Sequence, residues 1–144
     1  MDRIVIDTNI VISFLTDRNP DQQELAAALF QSASAGDHEL LLHQIVITEV
    51  VYVLHNLHHR SLEEVAACIR DLTDLPGVVV LDKMPWADLF EVWPRQMEAF
   101  ADAALVAVAK SGRHDFLATF DRNLRKQMKP LRVVPYPFPR EKCS

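Results

Sequence analysis

Apolar residues in this chain fall into short unbroken runs, separated by longer stretches in which they recur every three or four positions. The first run, Ile4-Val5-Ile6, shows no polar alternation, the pattern of a strand covered on both faces, and it stops abruptly at Asp7-Thr8-Asn9. Runs at 39–43, 78–81 and 116–120 read as second, third and fourth strands, and 132–134 as a fifth. Helical patterns lie between them. Residues 9–16 form a short one, with Thr8 or Asn9 able to cap it, and a second runs from Pro20 and Asp21 to about Ala35, closed by Gly36. Residues 44–59 carry Ile47, Val50, Val51, Leu54 and Leu57 at helical spacing, and Ser61 with Glu64 opens a helix by a capping box, which ends near Thr73 before Pro76 and Gly77. Pro85 and Pro94 open short helices or turns. Residues 101–110 are apolar on nearly every side and must be buried helix, and 122–128 read as a short basic helix. This alternation predicts one three-layer α/β/α domain over 1–134, with a mainly parallel sheet of four to five strands, followed by a Pro-rich tail at 135–144.

Composition narrows the class. With 144 residues and 49% hydrophobic content the chain can fill one core and is too short for two ordinary domains. The start has no basic region leading into a long apolar core, and the longest apolar runs are broken by His43, Gln44 and Glu49, so the expectation is a cytoplasmic protein with no membrane span. Two cysteines, Cys68 in a helix and Cys143 in the tail, make neither a disulfide framework nor a metal knuckle. Three glycines cannot build a P-loop or a dinucleotide-binding turn, and no serine sits in a nucleophile elbow.

The net charge of −5 conceals an uneven distribution. Residues 1–109 carry 6 Lys and Arg against 17 Asp and Glu, or −11, whereas 110–144 carry 9 against 3, or +6. A polyanion could be held by the last quarter, with Arg122, Arg125 and Lys126 as candidate phosphate contacts.

Four acids occupy similar places in this scheme. Asp7 and Asp121 terminate apolar strands, and Glu49 and Asp102 sit near the starts of apolar helices, where an unpaired charge is unfavourable unless it faces a cleft or a cation. Each alone has an ordinary explanation, as a cap or as a complement to a helix dipole, but that explanation would have to be repeated four times. Together they describe a hard-cation site, because Mg²⁺ takes carboxylate oxygens and water, whereas zinc favours His and Cys. His55, His58 and His59 lie at a helix end with no fourth ligand and read as end-of-helix residues. Trp86 and Trp93, and the aromatics of Pro135–Arg140, are either core or partner surface.

The segments IVIDTN at the start, ITEVVYVL around Glu49, FADAALVAVA around Asp102 and LATFDRNL around Asp121 resemble, in order and over the whole chain, the PIN-domain nucleases, and more closely the VapC-type toxins of toxin-antitoxin pairs. The resemblance assigns Asp7, Glu49, Asp102 and Asp121 to the family's acidic quartet, with Asn9 and Thr119 at polar positions beside it. It implies a Mg²⁺- or Mn²⁺-dependent ribonuclease that cuts RNA phosphodiester bonds with metal-activated water. A homodimer and a VapB-type antitoxin are the implied partners. Two other readings compete. A haloacid-dehalogenase-type phosphatase would need a second acid at position 9, where Asn9 stands, and a binding scaffold without activity would most simply lack one of the four acids.

Overall fold

The computed structural model describes residues 1–139; Arg140 of the tail motif and Cys143 lie outside them. Four strands, β1 (Asp2–Ile6), β2 (His38–His43), β3 (Val78–Leu81) and β4 (Phe116–Ala118), pair in parallel in the order β3-β2-β1-β4. Seven α-helices join and cover them: α1 (Thr8–Leu15), α2 (Pro20–Ser34), α3 (Gln44–Tyr52), α4 (Leu62–Thr73), α5 (Trp86–Val92), α6 (Phe100–Ser111) and α7 (Arg122–Met128). Ile4, Val5 and Ile6 of β1 and Leu40, Leu41 and Leu42 of β2 are fully buried, as unbroken apolar strands under helices on both faces must be. Among the described residues no helix is long and apolar enough to cross a membrane.

The register places the ends of β1 and β4 side by side, with Ile6 opposite Ala118. Chain order reverses there: β2 and β3 extend the sheet on one side of β1 and β4 on the other. Such a switch point opens a crevice at the carboxyl ends of the strands, where ligands of open α/β sheets bind.

Several expected elements take a different form. Helix α1 begins at Thr8, and its cap is Asp7, whose carboxylate accepts from the Thr8 backbone N–H. The helix expected over 44–59 is α-helical only to Tyr52 and widens into a π-helical stretch at Val53–Leu57. The fourth strand ends at Ala118, and Thr119 and Phe120 form the turn into α7. The fifth strand is reduced to one parallel bridge between Leu117 and Pro135. A 3₁₀ turn at Lys129–Leu131 and a left-handed Arg132 (φ 63°) redirect the chain before it, and Pro135 and Pro137 have no N–H to continue a ladder. The tail aromatics instead pack on the sheet edge: Tyr136 meets Phe116 edge-on at 5.7 Å, and Phe138 lies 4.9 Å from Phe120.

The two tryptophans separate. Trp93 is half-buried, donates through Nε1 to the Glu98 carbonyl at 3.0 Å and meets Phe100 edge-on at 5.1 Å, while Trp86 and Phe90 of α5 remain 56% and 62% exposed.

Candidate functional site

Asp7 is placed by its strand. β1 is buried throughout its second half, so the residue after Ile6 emerges at the switch point, and only 7% of Asp7 stays exposed. Its Oδ1 accepts from the Thr8 N–H at 2.7 Å, and its Oδ2 from the Thr119 hydroxyl at 2.7 Å and from Asn9 Nδ2 at 3.2 Å. Burial, the largest influence, nevertheless holds the Asp7 pKa above its ordinary value, and the Asp121 charge pushes the same way.

Asn9 and Thr119 lock α1 to the turn after β4. Asn9 Nδ2 donates to Thr119 Oγ1 at 3.0 Å, and Asn9 Oδ1 accepts from the Phe120 N–H at 3.1 Å. Thr119 Oγ1 also accepts from the Asp121 N–H at 3.1 Å. Each polar atom of this bridge is satisfied, so the carboxylate it supports has a fixed orientation. Asp121 itself caps α7, accepting through Oδ1 from Asn123 N–H at 2.9 Å and Leu124 N–H at 3.2 Å. Capping therefore explains its place locally, while its charge still reaches Asp7 and Asp102.

Asp102 caps nothing by hydrogen bond, although a carboxylate in the first turn of α6 complements the helix dipole. It stands in the first turn of α6, which is capped by no side chain, and its carboxylate accepts no hydrogen bond among the described residues. Burial and then the charges of Asp7 and Asp121 drive its pKa from 3.8 to about 6. Glu49 lies in the second turn of α3, past the first-turn positions where a carboxylate complements the helix dipole. Its pKa is raised by burial, then by Asp7 and more weakly by Asp102. Thr8, for which the sequence suggested only capping, also belongs here. Its hydroxyl is buried and makes no hydrogen bond of ordinary geometry, yet it faces the Glu49 carboxyl closely enough to draw that pKa back down. Its only signal in the sequence is adjacency to Asp7.

Four elements thus deliver four acids, and Asp7, Glu49 and Asp102 each feel the charge of at least one other member of the set. Among the described residues no three His, Cys, Asp or Glu side chains are gathered tightly enough to enclose an ion, and an ion that keeps several of its waters does not need them closer. The donor set is all hard oxygen, and the raised acids and the unpartnered Thr8 hydroxyl are what a cation would relieve, so the residues present fit Mg²⁺ or Mn²⁺. The basic residues after Asp121 are less uniform than their sequence suggests. Arg122 and Lys126 are exposed, whereas Arg125 is half-buried and donates through Nε to the Thr119 carbonyl at 2.9 Å. The three histidines disperse: His55 bonds the Arg60 carbonyl at 2.9 Å, His58 meets Arg18 at 3.0 Å, and His59 turns away in a left-handed conformation.

Residues 4–129 match the family model of the PIN domain. The chain belongs to the PIN-domain family. No curated protein matches it by sequence. Among solved structures, this PIN domain is similar to the Mycobacterium tuberculosis toxin VapC20, described as cleaving the sarcin-ricin loop, at 17% identity and a TM-score of 0.69, with 94% of this chain and 99% of that one covered. It is similar to VapBC2 of Rickettsia felis, bound to a fragment of promoter DNA, at 12% identity and a TM-score of 0.69 over 95% and 99% of the two chains. VapBC-1 of nontypeable Haemophilus influenzae follows at 15% and 0.66 over 93% and 96%. At these identities the likeness establishes a shared fold.

Proposed function

We propose that this PIN domain is a Mg²⁺- or Mn²⁺-dependent endoribonuclease of the cytoplasm and the toxin of a VapBC-type pair. The observation that carries the reading is the electrostatic coupling of Asp7, Glu49, Asp102 and Asp121 at the switch point of the sheet. Asp7 and Asp102 are the principal ligands, and Glu49 and Asp121 complete the shell or orient water. A bound ion supplies there a water of lowered pKa and positive charge for the phosphodiester under attack. The chain's own residues do the rest. Thr119 and Asn9 keep the Asp7 carboxylate aimed and partly offset the burial that opposes its ionisation, and Arg125 braces the turn that carries Thr119. Arg122 and Lys126 offer positive charge to the RNA backbone beside the acids.

Partners follow from the same reading. VapBC complexes among the similar structures support a VapB-type antitoxin, and the exposed Trp86 and Phe90 of α5 support a contact with a second copy of the chain. Cleavage of pooled tRNA and ribosomal RNA fragments tests the activity, using wild type with Mn²⁺, with EDTA, and an Asp102→Asn variant that keeps shape and removes charge. Discrete cuts lost in both controls are expected. Cuts that survive EDTA, or that persist undiminished in Asp102→Asn, would contradict the reading, and a stable complex with uncut RNA would favour the non-cutting scaffold.

A further inference from the structure

At the end of α6 remote from Asp102, the helix's last turn and the 3₁₀ turn after α7 border an open cavity of about 580 Å³. Ser111, the last residue of α6, follows Asp102 by nine residues, about 14 Å along the helix axis, so this hollow is separate from the acidic cleft. Lys110, Arg113 and Arg132 line it together with His114 and Gln96, and no Asp or Glu is among its lining residues. The three cationic side chains form no hydrogen bond or ion pair among the described residues. Cations at a helix C-terminus complement its dipole, which accounts for Lys110 and Arg113. It does not account for Arg132, which arrives from another segment.

The backbone here is unusual at the same residues. Arg113 (φ 49°) and Arg132 (φ 63°) both hold the left-handed conformation, which glycine adopts freely and side-chain-bearing residues seldom do. Between helix and cavity, Gly112 lets the His114 imidazole lie close against the backbone, where a β-carbon would force the ring to move. That ring is seated against the backbone, and its Nδ1 is buried with no hydrogen-bond partner. Backbone strain that presents two arginines from separate segments to one hollow, beside a lysine and with no acid in the lining, describes a site for an anion.

We propose that this cavity binds a phosphoryl group, carried by free phosphate or by an RNA backbone, through Lys110, Arg113 and Arg132. Two guanidinium forks and an ammonium suit a tetrahedral polyanion better than a carboxylate, and the volume accommodates a nucleotide as well as its phosphate. The inference stands whether or not the acidic cleft cuts RNA.

The test is thermal melting of the full chain in EDTA, with inorganic phosphate against sodium chloride of matched ionic strength, while NMR follows the His114 ring. Phosphate at millimolar concentration should raise Tm saturably beyond the chloride control and shift the His114 signals. An Arg113→Gly, Arg132→Gly double variant should melt at or above the wild type, because glycine relaxes both positions, yet lose the phosphate response. Arg132→Gln alone should bind phosphate at least tenfold more weakly, which keeps the test decisive if the double variant does not fold. A 2′-O-methyl oligonucleotide forms the second arm. Signals that it moves at far lower concentration than phosphate identify RNA as the source, and a response to phosphate alone identifies the free anion. An unchanged response in the variants, or no response of the wild type to either ligand beyond the chloride control, overturns the proposal.

Discussion

Asp102 stands in the first turn of α6, where a carboxylate complements the helix dipole, yet its surroundings oppose its ionisation. It accepts no hydrogen bond among the described residues, and its pKa of about 6 reflects burial and the neighbouring acids Asp7 and Asp121. An acid whose folded pKa is raised holds its proton more tightly when folded. Stability is therefore favoured below about 4 and lost as pH rises through about 6, where the folded carboxylate ionises. Asp102→Asn should accordingly raise the Tm measured in EDTA at pH 8, and the gain should vanish near pH 4, while cleavage at pH 8 with Mn²⁺ falls by about 10²–10³-fold. Thr119 has the opposite character. Its hydroxyl donates to Asp7 and accepts from Asn9 and Asp121, so Thr119→Val removes three bonds from a buried position. The expected result is a loss of about 1–3 kcal/mol in chemical denaturation. Cation affinity measured by calorimetry should fall by about 10–100-fold, because the ligand it aims becomes mobile.

Elements show where the sequence was readable and where it was not. The unbroken apolar strands, the Pro20 start, the Ser61–Glu64 cap and the basic helix after Asp121 all depend on neighbours in the chain, and they form as patterned. The proposed quartet was read from the same local signals, with Asp7 and Asp121 after strands and Asp102 at the start of a buried helix, whereas Glu49 lies one turn further into α3 than its spacing suggested. What escaped depends on tertiary partners. The π-helical widening at Val53–Leu57 keeps the apolar spacing of an α-helix, and the failed fifth strand was hidden because Arg132 adopts a conformation that its residue type does not advertise. His43 is a further case. It is buried at the end of β2, accepts from the Ile45 N–H through Nδ1 at 3.1 Å and contacts the Lys83 carbonyl through Nε2 at 2.7 Å, so it caps α3 and anchors the loop after β3. Gly77 likewise has a reason that lies elsewhere: at φ 84° its missing β-carbon leaves room for Ala33 of α2. Gly77→Ala should cost about 2–4 kcal/mol in urea denaturation, from a left-handed side chain and a clash with backbone.

Across the whole molecule, charge and apolar surface are segregated. Asp7 and Asp121 follow the carboxyl ends of β1 and β4, while Lys110, Arg113 and Arg132 line the cavity at the far end of α6. Two exposed aromatics, Phe90 and Trp86, lie one helical turn apart on α5, with ring centroids 6.2 Å apart. The proposed contact with a second copy predicts that replacing both with alanine leaves Tm nearly unchanged and lowers the sedimentation coefficient. If Asp7, Glu49, Asp102 and Asp121 form one cation site, as proposed, Mn²⁺ binding followed by calorimetry between pH 5 and 8 will report it. Protons and the cation compete for Asp102, so affinity should fall about tenfold per unit below pH 6 in the wild type and more shallowly in Asp102→Asn. Affinity independent of pH, or identical in the two proteins, would contradict a shared site.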